Sequence, residues 1–143
     1  MKLISHRGNI RDKIIELENS PNYIDKALNE GYDVEVDIWY KNNSLYLGHD
    51  YGQYLIDLDW LFRRSTKLWC HAKNGEALYY MWKHNLHFFW HQKDDFTLTS
   101  RGFIWTYPKG LLYSNSICVL PELGHIREFN CYGICSDYIE NYK

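Results

Sequence analysis

The chain has 143 residues, 45% hydrophobic and 24% charged, the ordinary balance of a globular protein, and it reads as one domain over residues 1–143. A formal net charge of −2 with no run of Lys or Arg argues against a nucleic-acid surface, while leaving room for a single phosphate held in a pocket. No signal peptide is visible and no apolar stretch approaches the ~18 residues of a membrane span, so the expectation is a cytoplasmic protein with no membrane span.

The first strand candidate is "KLIS", and it runs straight into His6, Arg7 and Gly8. "SPNYIDKALNEG" follows as a helix. Ser20 can cap it, Pro21 suits its first turn, Gly31 suits its stop, and Tyr23, Ile24, Ala27 and Leu28 share one face. "YDVEVDIWY" and "SLYLG" are strands joined by "KNN", where Asn42 and Asn43 tolerate tight-turn geometry. "KLWCHA" is the next strand. "NGEALYYMWKHN" is a second helix with Ala77, Leu78, Met81 and Trp82 as its apolar face. "HFFWHQ", "FIWTY", "SICVL" and "YGICS" complete the strands. With 6 Trp, 13 Tyr and 6 Phe, bulky rings can fill a core with few residues. Cys70, Cys118, Cys131 and Cys135 show no C-x-x-C spacing and read as thiols behaving as small hydrophobes. The order begins β-α-β and later becomes β-loop-β. That predicts an α/β fold: a reduced, mainly parallel TIM-type barrel in which several helices are replaced by loops.

The chemistry-bearing residues gather at strand ends. In "DVEVDIW", Glu35 and Asp37 point one way and Val34 and Val36 the other. Two acids on one face need a cation or a proton between them; the alternative is a solvated strand face. A turn centred on Asn42 and Asn43 brings His49 back towards Val36 and Asp37. In "LWCHAKN", His71 and Lys73 share a face, with Asn74 at the end, and in "FFWHQKDD" His91 precedes Asp94 and Asp95. Each histidine alone has a bland reading as a hydrogen-bonded structural residue. Together, His6, His49, His71 and His91 all end strands, and in a parallel barrel those ends share one rim. Carboxylate ligands favour Mg²⁺ or Ca²⁺, Arg and Lys favour a phosphate, and two histidines suit proton transfer in and out.

"ISHRG", "ENS", "ALNEGYDVEVDI" and "LYLGHD", in that order over residues 3–50, resemble the glycerophosphodiester phosphodiesterase family. Its hallmarks are a His-Arg-Gly opening, a Glu-Asn-Thr element, a Glu-x-Asp strand and a His-Asp pair after a short hairpin. "YGICSDY" resembles the family's last strand, and "LWCHAK" falls where it carries Glu-x-Lys. The resemblance implies a TIM-type barrel of the phospholipase C-like phosphodiesterase superfamily that binds a divalent cation and hydrolyses a glycerophosphodiester-like or related small phosphodiester. It implies His6 and His49 as the acid–base pair, and the sequence does not order which is acid and which base. Arg7 and Lys73 are implied to bind phosphate, Glu35 and Asp37 to bind metal, and Glu18 and Asn19 to support the site. Three departures stand out. His71 takes the place of a third metal-binding Glu, Ser20 takes the place of Thr, and the chain is much shorter than usual. With His71 as a ligand, Mn²⁺ or Zn²⁺ joins Mg²⁺ and Ca²⁺ as the implied ion. Glu122 reads either as a later carboxylate of the site or as a surface residue. The alternative to an enzyme is a catalytically inactive phosphate- or sugar-binding module on the same scaffold.

Overall fold

The computed structural model describes residues 1–143. Its ten strands form one curled sheet. At its centre β1 (Lys2–His6) lies parallel between β2 (Asp33–Lys41) and β10 (Gly133–Ser136). Beyond β10 come β9 (Ser116–Val119) and β8 (Ile104–Thr106), both parallel, then β7 (Phe96–Leu98), antiparallel to β8. Beyond β2 come β5 (Leu68–Ala72) and β6 (Phe88–Trp90), both parallel. β2 outruns β1, and its last residues pair antiparallel with β3 (Ser44–Leu47), which pairs with β4 (Tyr54–Ile56).

The mainly parallel TIM-type barrel expected from the strand pattern is therefore corrected. The sheet is mixed and is a half-barrel: β6 pairs only with β5 and β7 only with β8, so no ladder closes the curl. Length is the physical reason. A closed barrel of βα units takes about 250 residues, and the short gaps here leave no chain for most crossover helices. Only four short helices remain: α1 (Pro21–Asn29), α2 (Leu58–Arg64), α3 (Gly75–Lys83) and the single turn α4 (Pro121–Gly124). A 3-10 turn, Ile139–Tyr142, ends the chain. No helix is long and apolar enough to cross a membrane.

Local sequence explains the elements. Asn42 and Asn43 both take left-handed backbone angles (φ 50° and 58°), which a two-residue hairpin turn demands. The resulting register pairs Ile38 with Leu47 and Lys41 with Ser44, as a turn centred there requires. α1 starts on Pro21 and ends before Gly31, whose φ is 98°. Ser20 occupies its N-cap position without making a side-chain bond. Asn74 does cap α3, accepting from the Ala77 amide. α3 buries Ala77 and Met81, whereas Trp82, assigned by spacing to that face, is exposed. α2 escapes the sequence pattern because it is short, although Asp57 caps it by accepting from Trp60 N at 2.7 Å. The three-residue strands β4 and β7 escape for the same reason.

Strand alternation separates two apolar layers. Val34, Val36, Ile24, Ala27 and Met81 fill the space between sheet and helices. Ile4, Trp69, Phe89, Trp105, Ile117 and Val119 fill the inside of the curl. There the rings form a column: His71 stacks on Phe89 (5.1 Å), Phe89 on Trp105 (4.6 Å), and Trp69 lies 5.8 Å from Trp105 and 4.3 Å from His87. His71 ends the column at the rim where β1 and β5 finish and β2 runs on to Lys41. His87 ends it at the opposite mouth, its Nε2 2.9 Å from Thr99 Oγ1.

Burial, with a smaller push from Arg101, lowers the His87 pKa to about 4. In the unfolded chain the ring titrates near its usual ~6.5. Between those values the unfolded state takes up the proton and the folded state does not. Stability should be full above pH ~6.5 and fall as the pH drops towards 4. Urea titrations across that range should show the loss, and His87→Gln should make it shallower, leaving the share of His91, whose pKa burial also lowers to about 4. An equally steep acid limb in the variant would remove His87 as its source.

Candidate functional site

β2 sets the site. Its register places Glu35 beside His6 on β1, and Asp37 beside His71 on β5. β1 ends there: Arg7 N donates to the Glu35 carbonyl, and two residues on, Gly48 N from the hairpin donates to the Asp37 carbonyl. The two carboxylates thus stand where β2 exchanges one neighbour for another, on the inward face, and both are buried. The chain clears this rim through a sharp turn. Arg7 and Gly8 have φ of 55° and 95°, and a Cβ on Gly8 would sit 2.6 Å from the Tyr23 ring. Asn19, also left-handed (φ 62°), ties the loop back through its amide to the Arg7 carbonyl.

Each carboxylate has a different environment. Asn19 grips Asp37 twice, its Nδ2 donating to Oδ2 (2.9 Å) and its Oδ1 accepting from the Asp37 amide (3.0 Å). Arg7 Nε lies 2.9 Å from Asp37 Oδ2, His71 Nδ1 3.1 Å from Oδ1, and Lys73 Nζ 3.6 Å from Oδ1. Burial alone would raise the Asp37 pKa, but His71, Arg7 and Lys73 together hold it well below the usual carboxylate range. Glu35 has weaker company: His6 Nε2 at 3.8 Å and His71 Nδ1 at 3.9 Å. Burial and the neighbouring Asp37 raise its pKa. Glu35 Oε2 and Asp37 Oδ1 are buried without a hydrogen bond. Such atoms are rare and costly, and a bound ion is one of the few explanations for them.

The histidines are oriented from behind. His6 Nδ1 lies 2.6 Å from Asp137 Oδ1, so the carboxylate accepts its N–H and Nε2 faces Glu35 and the cleft. Asn9 also donates to Asp137 Oδ1, and Lys13 Nζ lies 3.1 Å from Oδ2. Burial would raise the Asp137 pKa, yet the His6, Asn9 and Lys13 contacts keep it low. His71 Nε2 lies 3.0 Å from the His91 carbonyl, which can only accept. The Nε2 hydrogen is thereby fixed, and Nδ1 is turned to the carboxylates. His91 therefore serves the site through its backbone, while its ring stacks on Tyr107 at 4.0 Å. His49 returns on the hairpin and lines the same cleft of about 370 Å³ as His6, Arg7, Glu35, His71 and Lys73. Its ring is partly exposed and pairs with Asp50 at 2.8 Å; burial and Arg7 lower its pKa.

Of the remaining residues singled out by sequence, Glu18 and Glu122 lie around this set and Asp94 and Asp95 outside it. Glu18 accepts from Arg7 Nη1 (3.1 Å) and from Asn9 (2.9 Å), so it steadies the arginine. Asp94 and Asp95 are exposed beyond β6 and belong to no ligand cluster. Glu122 accepts from Ser136 Oγ and from the Asp137 amide, both at 3.0 Å, so it braces the loop that carries Asp137. Sequence reasoning missed Asp137, Asn9 and Lys13. For Asp137 a signal existed: an acid directly after "YGICS" ends a buried strand at the same rim as His6. Nothing comparable marked Asn9.

Glu35, Asp37 and His71 each offer one ligand atom, all within 4.8 Å of one another. Two orphaned carboxylate oxygens and the Nδ1 of an imidazole whose ring is held through Nε2 by a backbone carbonyl fit a divalent cation. Added Mg²⁺, Ca²⁺, Mn²⁺ or Zn²⁺ should raise the thermal midpoint, by the equivalent of about 2.7 kcal/mol at a hundredfold excess over Kd. Glu35→Gln should abolish that shift while leaving the metal-free protein at least as stable, since one of two like charges is gone. No shift in the parent, or an undiminished shift in the variant, would refute the metal assignment. The chain matches no family model, no curated protein and no solved structure.

Proposed function

We propose that this protein is a divalent-cation-dependent phosphodiester hydrolase acting on small, glycerophosphodiester-like substrates. The observation that carries the reading is the pair of buried, unbonded oxygens on Glu35 and Asp37, beside a cleft lined by Glu35, four histidines (His6, His49, His71 and His91) and the cations Arg7 and Lys73. Charge supports it. Arg7, Lys13 and Lys73 contribute three positive charges against four carboxylates, Glu18, Glu35, Asp37 and Asp137. With neutral histidines these seven groups carry one excess negative charge, and the exposed Asp50 beside His49 adds another; a divalent cation on Glu35, Asp37 and His71 would offset both and ease the approach of a phosphate. When bound, that cation would supply charge neutralisation for the phosphoryl oxygens.

The chain's own groups supply the rest. Asp137 holds the proton on His6 Nδ1, which leaves Nε2 free to accept a proton from the attacking hydroxyl or water. His49 is partly exposed and paired with Asp50, a suitable place from which to protonate the leaving oxygen and re-equilibrate with solvent. Arg7, held between Glu18 and Asp37, presents a fixed positive charge at the cleft wall, and Lys73 adds a second. A second reading, a phosphate- or sugar-binding module without turnover, rests on His71 standing where the resembling family carries Glu.

Hydrolysis of bis(p-nitrophenyl) phosphate by the chelator-treated, metal-reconstituted protein separates the readings. Turnover that requires a divalent cation and falls about 10²–10⁴-fold in His6→Ala is expected. Asp137→Asn should cut the rate less, since the ring remains but loses its orienting anion. Turnover that ignores both the cation and His6 would refute the assignment, and binding without turnover would favour the module.

His71 gives an independent test. As a neutral ligand it should favour Mn²⁺ or Zn²⁺ over Mg²⁺ or Ca²⁺. His71→Glu should then improve use of Mg²⁺ or Ca²⁺ by restoring a hard oxygen donor. If the variant loses activity with every metal, His71 instead meets the phosphate as a cation. Unchanged preference and activity would leave it a structural residue.

A further inference from the structure

The cleft has two lobes that meet at Arg7 and His49, the two residues that line both. The first lobe holds Glu35 and His71. The second, of about 280 Å³, lies between the loop after β1 and the loop after β3. Its apolar walls are Ile15 from the first loop and Tyr51 from the second, which are 68% and 60% exposed. Its charges are already matched. Lys13 lies 3.1 Å from Asp137, Glu18 is bonded to Arg7 and Asn9, and Asp50 is paired with His49. The lobe therefore offers little to an ionic group and bare apolar surface to an uncharged one.

A phosphodiester has two ester arms, and a phosphate seated between Arg7 and His49 would send one into each lobe. We infer that the second lobe is a subsite for an uncharged alkyl arm of the substrate, held between Ile15 and Tyr51. The inference rests on the phosphodiesterase reading and narrows it to phosphodiesters with one apolar substituent. The volume lies just under the ~300–1,000 Å³ usual for small-molecule sites, which fits a short chain on a soluble molecule.

The test uses the full chain and a series of methyl(alkyl)phosphinates with methyl, butyl and hexyl chains, whose two P–C bonds leave no ester to hydrolyse. Calorimetry should show affinity rising with chain length, by up to about fourfold per buried methylene. In Ile15→Ser and Tyr51→Ser the dependence should weaken, and in the double variant it should vanish. Both side chains are exposed, so the thermal midpoint should not move. Affinity independent of chain length in the parent, or a dependence that survives in the double variant, overturns the subsite. Turnover of bis(p-nitrophenyl) phosphate is measured in parallel. Chain-length dependence without turnover keeps the subsite and removes the hydrolase; turnover without chain-length dependence removes the subsite alone.

Discussion

The structure depends on one electrostatic constraint: two carboxylates on the same inward face of one strand, both withdrawn from water. Glu35 and Asp37 cannot both be ionised there unless positive charge or donors surround them. The neighbours answer that need unequally. Asp37 receives Asn19, Arg7, His71 and Lys73, whereas Glu35 has only two histidines near 4 Å. The asymmetry sorts the pair into one anion held by the protein everywhere but at Oδ1 and one still short of partners. It also explains the shape of the loop after β1. Arg7 reaches Asp37 only because the backbone turns left-handed at Arg7 and Gly8, and Asn19 reaches it only because the chain returns left-handed at Asn19. Of these, Arg7 alone is neither Gly nor Asn, so its left-handed backbone is the strained position at the rim.

A half-barrel must support that rim with little material. The ring column is the solution. Trp69, Phe89 and Trp105 fill the inside of the curl, and His71 stacks on Phe89 as its last member. The same ring is therefore part of the core on one face and part of the site on its edge. Its Nε2 is held by the His91 carbonyl, and His91 is in turn stacked on Tyr107. Core packing and ligand orientation are one arrangement, which makes the position of Nδ1 as firm as the core beneath it.

The parts legible in the sequence were those governed by local rules. Asn42 and Asn43 specify a two-residue turn, and the turn fixes the register that returns His49 to the rim. Alternation in "DVEVDIW" places Glu35 and Asp37 together because the side-chain period of a strand is two. The illegible parts were decided by distant contacts. Closure of the sheet depends on whether β6 meets β7 or β8, and no local pattern records that. Asp137 reaches His6 across the β1–β10 pairing, which joins the two ends of the chain. Glu122 reads as either surface or ligand from sequence, because its acceptors' partners, Ser136 Oγ and the Asp137 amide, come together only through the fold.

Small size also bears on why an imidazole stands at position 71. A third carboxylate there would put a third like charge within 4.8 Å of Glu35 and Asp37. The metal-free fold would have to hold all three against mutual repulsion and desolvation. A fold of this length buries a smaller fraction of its surface than a full barrel and has less stability to oppose that strain. A neutral imidazole keeps a donor atom at the same place and adds no negative charge. It also contributes apolar ring surface, which the stack on Phe89 uses and a carboxylate could not. His71 therefore serves the packing of the core and places a nitrogen beside the two carboxylates at once. It follows that the fold tolerates His71→Glu best when Glu35 or Asp37 has a cation to share.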